Sequence, residues 1–338
     1  MIVPVPSAPD RRYAGARVLI LGAAGFIGRW LARRLAAAGA ELHLVVRDPG
    51  AAEIVFTGYR ITGQVHVLDL CQAEAVQRLV WHIRPVITFN MAGYGVDPAE
   101  RDERTAYAIN HSLVETVAAA VAAVRNPAWP GLDLVHAGSA LEYGAIAGDL
   151  AEESRPNPTT LYGRSKLAGT LALAEQCVRG DLRAATARLF TVYGPGEHAG
   201  RLLPSLLDAA KTGAPLPLTA GRQLRDFTYV EDIAEGLLRL GLAAADRLRD
   251  GAQPAGVVNL ATGRLTAVRQ FVEQAAAILG IGADHLFFDA IPTRAEEMRH
   301  DPVSLQRLRH WLDWTPTTPV AAGIGRTCSF AQSAVRCT

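Results

Sequence analysis

The chain has 338 residues, of which 49% are apolar, so it can bury the core of one large domain or of two closely packed domains. With 34 basic and 33 acidic residues its formal net charge is +1, which gives no electrostatic reason to expect a nucleic-acid partner. The four cysteines have no metal-ligand spacing, and we find neither a signal-peptide pattern nor an uncharged apolar run of membrane-spanning length. These features predict a cytoplasmic protein with no bound metal and no membrane partner.

Short apolar runs alternate with helical stretches over the first half of the chain. After an expected N-terminal arm at residues 1–15, six runs read as strands: 17–21, 42–46, 65–68, 86–90, 132–137 and 184–190. Helical stretches such as 26–38, which Gly39 ends, and the Ala-rich stretch 106–124 separate them. Apolar strands that alternate with helices predict an α/β fold with a doubly wound parallel sheet, covered on both faces.

The composition changes after residue 190. Prolines cluster there, and short strands mix with helices to the end of the sequence. We therefore expect a first domain at 16–190 and a smaller mixed α/β C-terminal lobe at 191–225 and 263–338. Residues 257–260 read as a strand that returns to the main sheet, so later return segments of the first domain are expected near 226–262.

A glycine-rich loop joins the first strand to its helix. It reads Gly22-Ala-Ala-Gly25-Phe26-Ile27-Gly28. In this context Gly22 permits the tight turn, Gly25 lets the backbone approach a pyrophosphate, and Gly28 allows close helix–strand packing. The free amides and the dipole of the helix N-terminus favour an anion. The loop thus predicts a Rossmann-type dinucleotide-binding domain, with Phe26 and Ile27 also beside the cofactor.

The end of the second strand bears on the choice between NAD and NADP. An acidic side chain there binds the ribose 2′-hydroxyl of NAD, whereas an arginine accommodates the 2′-phosphate of NADP. The usual acidic position falls at Val46, and Arg47 and Asp48 follow it. A guanidinium suits a phosphate, so Arg47 favours NADP(H), while Asp48 keeps NAD(H) open. Asp69 and Leu70, just after the third strand, are placed to contact the adenine, although Asp69 could equally be a helix cap.

Tyr162 and Lys166 stand four residues apart, which places them on one face of a helix. A phenol has a pKa of roughly 10, and a positive charge nearby lowers it by favouring the phenolate. The pair is therefore suited to moving a proton on or off a hydroxyl or carbonyl oxygen. Solvated helix residues share the same spacing, so the neighbouring motifs decide between the two interpretations.

These motifs, in their order along the chain, resemble those of the extended short-chain dehydrogenase/reductases. Within that family the chain looks like the nucleotide-sugar epimerase/dehydratase/4-ketoreductase group, over roughly residues 16–325. Tyr193-Gly-Pro-Gly matches the VYGPG turn of the family, and the run from Arg225 to Asp232 matches its RDF-x-YV-x-D signature. The resemblance implies an NAD(P)-dependent enzyme whose substrate-binding lobe takes a nucleotide-diphosphate sugar.

The resemblance implies catalytic roles for four residues. Ser139, in the run GSALEYG, matches the active-site Ser/Thr, whose hydroxyl would hydrogen-bond the reacting oxygen beside Tyr162. Lys166 would also hold the nicotinamide ribose, and Asn110 matches an asparagine that supports the site. The segment that passes under the cofactor is here Met91, Ala92 and Gly93.

The resemblance also implies residues on the substrate side. Arg225, Arg294 and Arg201 would contact the phosphates of the substrate. Thr191 stands where relatives have an asparagine that touches the substrate, and Glu142 is a further expected substrate contact. The same resemblance implies a homodimer, formed through a four-helix bundle that Ala-rich helices would fit.

The two positions after Ser139 narrow the reaction. In the 4,6-dehydratases of the group an Asp-Glu pair follows the active-site threonine and eliminates water, whereas this chain has Ala140 and Leu141, which carry no proton. The leading expectation is NADP(H)-dependent reduction of a nucleotide-activated 4-keto-(6-deoxy)hexose, with Tyr162 as the proton donor. An NAD-retaining nucleotide-sugar 4-epimerase is the alternative. Reduction of another carbonyl compound and a non-catalytic NADP(H)-sensing protein are also open.

Overall fold

The fold is built on seven parallel strands. The computed structural model describes residues 11–96, 99–146, 148–243, 256–293 and 299–335. In chain order its strands are β1 (Arg17–Leu21), β2 (Glu41–Val46), β3 (Gln64–Val67), β4 (Ile87–Asn90), β5 (Leu134–Ser139), β6 (Ala184–Leu189), β7 (Thr191–Tyr193), β8 (Leu216–Pro217), β9 (Leu224–Tyr229), β10 (Gly256–Leu260), β11 (Leu265–Ala267) and β12 (Leu286–Phe287). The main sheet has the order β10-β6-β5-β4-β1-β2-β3, and its pairings are parallel. From β1 the chain runs outward through β2 and β3, and then on the other side through β4, β5 and β6, which confirms the predicted doubly wound α/β fold.

Helices cover both faces of this sheet. In chain order they are α1 (Phe26–Ala37), α2 (Pro49–Tyr59), α3 (Ala73–Ile83), α4 (Glu103–Tyr107), α5 (Leu113–Val124), α6 (Leu161–Arg179), α7 (Leu202–Thr212), α8 (Val230–Gly241), α9 (Val268–Leu279), α10 (Gln306–Leu312) and α11 (Val320–Val335). Helix α1 packs against α8 on one face, and α5 packs against α3 and α6 on the other.

Successive residues of the central strands enter two separate cores. In β1, Val18 and Ile20 belong to a buried cluster that includes α1 and α8, while Leu19 and Leu21 belong to a second cluster with α3, α5 and α6. Neighbouring side chains of a strand point to opposite faces, so a strand buried on both sides must be apolar throughout. The uninterrupted apolar runs of the sequence are therefore a consequence of burial on both faces.

A smaller mixed part follows β6. Strand β7 pairs with β9 in parallel and β9 with β11 antiparallel, and β8 pairs with β12. Strand β10 returns to the main sheet, where Val258 pairs with Ala187 of β6, as expected for residues 257–260. Strand β9, which also lies in the expected return stretch, pairs with β7 and β11 and is not part of the main sheet. The domain boundaries themselves stay a prediction.

One helical stretch among the described residues, Glu103–Val124, is long and apolar enough to cross a membrane by length and composition alone (22 residues, mean hydropathy 1.3). It comprises α4, a π-helical turn at Ala108–Ser112, and α5. Within the fold α5 packs against α3 and α6, in the way of a core helix. The expectation of no membrane partner stays a prediction.

Candidate active site

The loop between β1 and α1 is a cradle of bare backbone. Gly22 has a φ of +72°, and a Cβ added there would lie 3.0 Å from the amide nitrogen of Ala92. A Cβ at Gly28 would lie 2.1 Å from the carbonyl oxygen of Gly22, so α1 can lie this close to the loop only without a side chain. No side chain caps α1 at Gly25, and its first turn holds no acidic residue, so the helix N-terminus is open to an anion. These features fit the pyrophosphate of a dinucleotide.

The other expected cofactor residues lie along the same edge of the sheet, where the strands end. They are Phe26 and Ile27 at the start of α1, Arg47 after β2, Asp69 and Leu70 after β3, and Met91, Ala92 and Gly93 after β4. Asp48 caps α2, because its Oδ1 accepts a hydrogen bond from the amide of Ala51 (3.1 Å). Asp69 Oδ1 accepts one from the amide of Cys71 (3.0 Å), so its carboxylate holds a turn. Arg47 is exposed.

Ser139 ends β5 and precedes a short 3-10 turn at Ala140–Glu142. Its Oγ accepts a hydrogen bond from the amide of Leu141 (3.2 Å), while Oε1 of Glu142 accepts one from the Ser139 amide (2.8 Å). This reciprocal capping box fixes Ser139 at the carboxyl end of the central strands, where α/β sheets bind their ligands.

Two local features place Tyr162 against that turn. Thr160 caps α6 by accepting a hydrogen bond from the amide of Gly163 (3.0 Å), so Tyr162 lies in the first turn of the helix. A Cβ at Gly163 would lie 2.3 Å from the carbonyl oxygen of Leu141, so α6 meets the turn after Ser139 backbone to backbone. The phenol of Tyr162 thereby comes within hydrogen-bonding reach of Ser139.

Burial dominates the acidity of Tyr162. Burial raises the pKa of Tyr162 well above its ordinary value, and the charge of Glu142 raises it further. The hydrogen bond with Ser139 and the charge of Arg201 lower this pKa by less. Burial thus outweighs the expected lowering of the pKa by a neighbouring cation, and the cation that lowers it here is Arg201. Lys166 Nζ lies 6.0 Å from the centre of the Tyr162 ring. The phenol is protonated at neutral pH.

Lys166 is buried on the next turn of α6. Its Nζ donates hydrogen bonds to the carbonyl oxygens of Ala137 (3.0 Å) and Ala92 (3.3 Å). Burial lowers the pKa of Lys166 to about 8, and the carboxylate of Glu142 opposes this shift. A Cβ at Gly93 would lie 3.3 Å from Nζ, so the segment after β4 passes directly over the ammonium. An ammonium has three donors, and the described carbonyls take two, which leaves one for a ligand.

Asn110 lies in the π-helical turn before α5. Its Oδ1 accepts a hydrogen bond from the amide of Tyr94 (3.1 Å), and its Nδ2 donates to the carbonyl of Tyr94 (2.8 Å) and to Oγ of Ser165 (2.9 Å). Ser165 in turn donates to the carbonyl of Tyr162 (3.1 Å). Asn110 thus ties the segment after β4 to the helix of the Tyr/Lys pair. This is a supporting position, and π-helical turns within helices often mark such sites.

The substrate contact expected for Glu142 stays a prediction, while in the structure its carboxylate is held by other residues of the chain. It is fully buried, and its Oε2 accepts hydrogen bonds from Nε of Arg188 (2.9 Å) and Oγ1 of Thr170 (3.0 Å). Arg188 is buried as well, with its guanidinium 4.3 Å from the ring centre of Tyr143. A buried carboxylate requires such partners, so Glu142 is committed to Arg188 and to the amide of Ser139. It positions Ser139 from behind.

A row of buried polar side chains crosses the sheet beneath Lys166. The register pairs Asn90 of β4 with His136 of β5, and His136 with Thr186 of β6. Nδ2 of Asn90, both ring nitrogens of His136 and Oγ1 of Thr186 have no hydrogen-bonding partner among the described residues. Burial lowers the pKa of His136 well below its ordinary value and the charge of Lys166 lowers it further, so His136 is neutral. The sequence signal for this row was a lone histidine within an apolar strand, and it was missed.

The residues expected to bind substrate lie on the smaller part of the fold. Thr191 begins β7, Arg201 immediately precedes α7, and Arg225 is partly buried on β9. Arg201 is close enough to Tyr162 for its charge to lower the pKa of the phenol. Arg294 lies outside the described residues.

A cavity of about 370 Å³ opens beside Tyr162, within the size range of small-ligand sites. Its other lining residues are Gly95, Glu100, Arg101, Ala106, Thr160 and Leu161. Oε2 of Glu100 accepts a hydrogen bond from the amide of Gly95 (2.7 Å), and the charge of Glu100 contributes to raising the pKa of Tyr162. The loop after β4 therefore shapes the site. Over the part of the chain that the structure describes, no group of three or more His, Cys, Asp and Glu could hold a metal ion.

A partly buried phenol and a buried ammonium on one helix, beside a backbone cradle for a pyrophosphate, define a dinucleotide-dependent enzyme of the short-chain dehydrogenase/reductase type. The model of the "NAD dependent epimerase/dehydratase family" matches residues 18–262. The chain belongs to this family of enzymes, as its motifs indicated.

Individual relatives differ in the reaction that their names state. The chain is 33% identical to a dTDP-6-deoxy-L-talose 4-dehydrogenase (NAD(P)(+)) of Kitasatospora kifunensis, over 90% of this chain and 92% of the relative. It is 28% identical to a UDP-glucose 4-epimerase of Mycolicibacterium smegmatis, over 94% and 99%. Its fold is similar to that of an epimerase from Methanothermobacter thermautotrophicus, with a TM-score of 0.81, 24% identity and coverage of 97% and 96%.

Proposed function

We propose that this chain is an NADP(H)-dependent nucleotide-sugar 4-ketoreductase, which reduces a nucleotide-activated 4-keto-6-deoxyhexose to the hydroxy sugar. Bound NADPH would supply the hydride. Tyr162 would give its phenolic proton to the carbonyl oxygen that Ser139 also hydrogen-bonds. Lys166 would hold the nicotinamide ribose through its remaining N–H donor, and Arg201 and Arg225 would bind the diphosphate.

The position of the Tyr162 phenol beside Ser139, on the helix that also carries Lys166, carries this proposal. Reduction of a ketone consumes a proton, so the donor must hold that proton before the step. A phenol with an ordinary pKa of roughly 10 holds its proton at neutral pH, and burial raises the pKa of Tyr162 further. Ala140 and Leu141 offer no carboxylate for elimination of water. The relative from Kitasatospora kifunensis bears the name of a 4-dehydrogenase, and the reverse of such an oxidation is a 4-keto reduction.

The preference for NADP(H) is supported by Arg47. Its side chain is exposed at the end of β2, whereas the carboxylate of Asp48, which would favour NAD(H), caps α2. Titration of the purified protein with NADPH and with NADH should give tighter binding of NADPH. Arg47→Ala should weaken NADPH binding about tenfold and leave NADH binding nearly unchanged, because one charge-assisted contact is removed. Equal losses for both cofactors would remove this assignment.

The reductase assignment is tested by turnover. Purified protein is mixed with NADPH and a panel of dTDP- and UDP-linked 4-keto-6-deoxyhexoses, and loss of NADPH is followed together with the sugar product. We expect stoichiometric formation of a hydroxy sugar with at least one member of the panel. Absence of turnover across the whole panel, with cofactor binding intact, contradicts the proposal.

A nucleotide-sugar 4-epimerase that retains NAD is the second candidate, favoured by the similarity to a UDP-glucose 4-epimerase over almost the whole chain. Such an enzyme oxidises and re-reduces the same sugar, so its dinucleotide need not leave. Denaturing freshly purified protein and identifying the released nucleotide separates the candidates. Stoichiometric NAD favours the epimerase, and a protein that binds added NADPH reversibly favours the reductase.

The homodimer is also a proposal. Leu171 and Val178 lie seven residues apart on one face of α6 and are 55% and 68% exposed. In a four-helix bundle built from α5 and α6 of two subunits, these two side chains would be buried. Leu171→Glu should then shift the sedimentation of the protein from dimer to monomer.

The cytoplasmic location stays a proposal too; the described cysteines, Cys71, Cys177 and Cys328, are free thiols.

A further inference from the structure

The turn between β7 and α7 holds a buried carboxylate whose bonding is incomplete. The side chain of Glu197 is 6% exposed, and its Oε1 lies 3.5 Å from Nε of Arg201. Its Oε2 is buried and has no hydrogen-bonding partner among the described residues. A buried acceptor without a donor costs roughly 1–3 kcal/mol, and more when it is charged. Glu197 therefore favours either a proton or a new donor. Sequence reasoning had no signal for this residue beyond the neighbouring VYGPG turn.

The turn of Glu197 packs against the helix that follows the glycine loop. Trp30 Nε1 donates a hydrogen bond to the carbonyl of Pro195 (2.8 Å). A Cβ at Gly196 would lie 2.5 Å from the Tyr59 hydroxyl and 2.8 Å from Nη1 of Arg29, so there is no room between the turn and these side chains. This side of the turn is therefore fixed by α1 and α2.

On its other side the turn approaches the catalytic centre. Arg201, four residues after Glu197 in this turn, lies close enough to Tyr162 to affect its pKa. The titratable or charged side chains that face the turn are thus Arg201 from its own segment, Arg29 from α1 and Tyr59 from α2. Of these, Arg201 is the one whose charge acts on the Glu197 pKa in the described structure.

We propose that Glu197 holds Arg201 in the free enzyme and takes up a proton when the diphosphate of the substrate binds Arg201. This inference rests on the proposed function, because it takes Arg201 as a contact of the diphosphate. A diphosphate diester carries two negative charges, and at Arg201 it would lie a few ångströms from the carboxylate. Like charges that share one cation and a buried site repel, so the carboxylate is neutralised by protonation. Glu197 is a positioning residue that couples substrate binding to proton uptake.

The pH range of the effect follows from the free enzyme. Burial raises the pKa of Glu197 to about 7, and Arg201 and, to a smaller extent, the backbone of Gly194 oppose this shift. When Arg201 turns to the diphosphate, both the lost cation and the new negative charge raise the Glu197 pKa further. Below pH 7 the proton is already present, so affinity should not depend on pH. Above pH 7 each binding event takes up a proton, and affinity should fall by up to about tenfold per pH unit.

The test measures proton uptake directly. UDP-glucose and dTDP-glucose serve as probes, because their diphosphate diesters lack the terminal phosphate that titrates near pH 6. Titration calorimetry in buffers of different ionisation enthalpy, at pH values from about 6 to 9, gives the protons bound per ligand. The wild-type protein should take up close to one proton per ligand at about pH 8. Glu197→Gln should take up none and should bind about tenfold more tightly than the wild type at that pH.

Glu175→Gln is the matched control. Glu175 and Arg179 also form an i,i+4 ion pair, with 3.2 Å between Nη2 and Oε2, but both side chains are more than 60% exposed on α6. This variant should keep the wild-type proton uptake. Tight binding without proton uptake by the wild-type protein, or uptake that persists in Glu197→Gln, overturns the inference and leaves the proposed function intact. Failure of both sugar nucleotides to bind at any pH overturns both.

Discussion

The two ends of β5 treat buried polar groups in opposite ways. Just before the strand, Asp133 is 1% exposed and accepts hydrogen bonds from the amide (2.9 Å) and Nε (3.1 Å) of Arg183. Nη1 of the same arginine donates to the carbonyl of Trp129 (2.7 Å). Further along the strand, His136 has both ring nitrogens unpaired among the described residues, and beside Ala137 Lys166 keeps an N–H donor beyond its two carbonyl partners.

This contrast separates residues that hold the fold from residues that serve a ligand. Polar groups whose partners come from the chain lower the free energy of the folded state only while the pair is complete. Polar groups with incomplete bonding raise it, and they are retained where a ligand or the reaction needs them. Substitutions at the Asp133 end should therefore reduce stability and spare the chemistry. Substitutions of the incompletely bonded groups should not reduce stability, and those of Tyr162 and Lys166 should remove the chemistry.

The largest expected effect is on turnover in Tyr162→Phe. The variant keeps the ring and loses the proton donor, so kcat should fall by about 10²–10⁴-fold. Binding of NADPH, followed by fluorescence titration, should change less than threefold, because the hydroxyl does not hold the cofactor's phosphates. Turnover within about threefold of the wild type would assign the proton donation to another group, and Tyr162 would then not be needed for the reaction.

At the opposite end of the strand, Asp133→Ala should lower the free energy of unfolding by about 3 kcal/mol, because it leaves the Arg183 guanidinium largely buried without its anion. Urea unfolding measures this loss, and kcat of the folded protein should stay within about twofold. Asp181→Ala is the control: Asp181 also pairs with an arginine, Arg125, at 3.5 Å, but it is 92% exposed. That surface pair should contribute less than about 1 kcal/mol.

Lys166→Met should raise the free energy of unfolding, whereas Asp133→Ala lowers it. Burial lowers the pKa of Lys166 to about 8, so the unfolded chain holds this proton more tightly than the folded protein does. The destabilisation is complete below pH 8 and is relieved as the pH rises towards the unfolded value of about 10.4. At pH 7 the free energy of unfolding of the variant should therefore be about 2 kcal/mol higher than that of the wild type, as urea unfolding measures it. Turnover should be lost. Lys211→Met, which removes an exposed lysine, should leave both unchanged.

The fold was predictable because its signals are local. The apolar runs, the glycine loop and the i,i+4 pair are each read within a few residues, and the structure places the strands within about two residues of the predicted bounds. How exposed a strand is depends on its place in the sheet, which neighbouring residues do not reveal. Strand β3 was predicted as one more strand of a covered sheet, yet Val67 is 58% exposed because β3 forms the edge. The return of residues 257–260 to the main sheet was predicted, and the structure adds that they pair with β6.

Many residues of the site could be predicted from the sequence, but their pKa values and ion pairs could not. The pKa of Tyr162 depends on burial by α4 and the loop after β4, which the spacing to Lys166 does not contain. The substrate contact of Glu142 was implied by the resemblance alone, which could not show that Arg188, 46 residues away, meets this carboxylate across β5 and β6. The burial of Glu197 likewise comes from packing against distant helices. Long-range contacts therefore decided each of these outcomes.

The smallest expected effect is the change in the free energy of unfolding in His136→Met. Burial and the charge of Lys166 lower the pKa of His136, so below about pH 6.5 the unfolded chain binds a proton that the folded protein does not bind. Stability should therefore fall as the pH is lowered through that value. His136→Met removes this dependence and the unpaired ring nitrogens, and it should raise the free energy of unfolding by about 1 kcal/mol at pH 5 relative to the wild type. Urea unfolding at pH 5 and pH 7.5 measures the change, with the exposed His310→Met as the control. A loss of stability at both pH values would show that His136 is fully paired in solution, as Asp133 is at the other end of the strand.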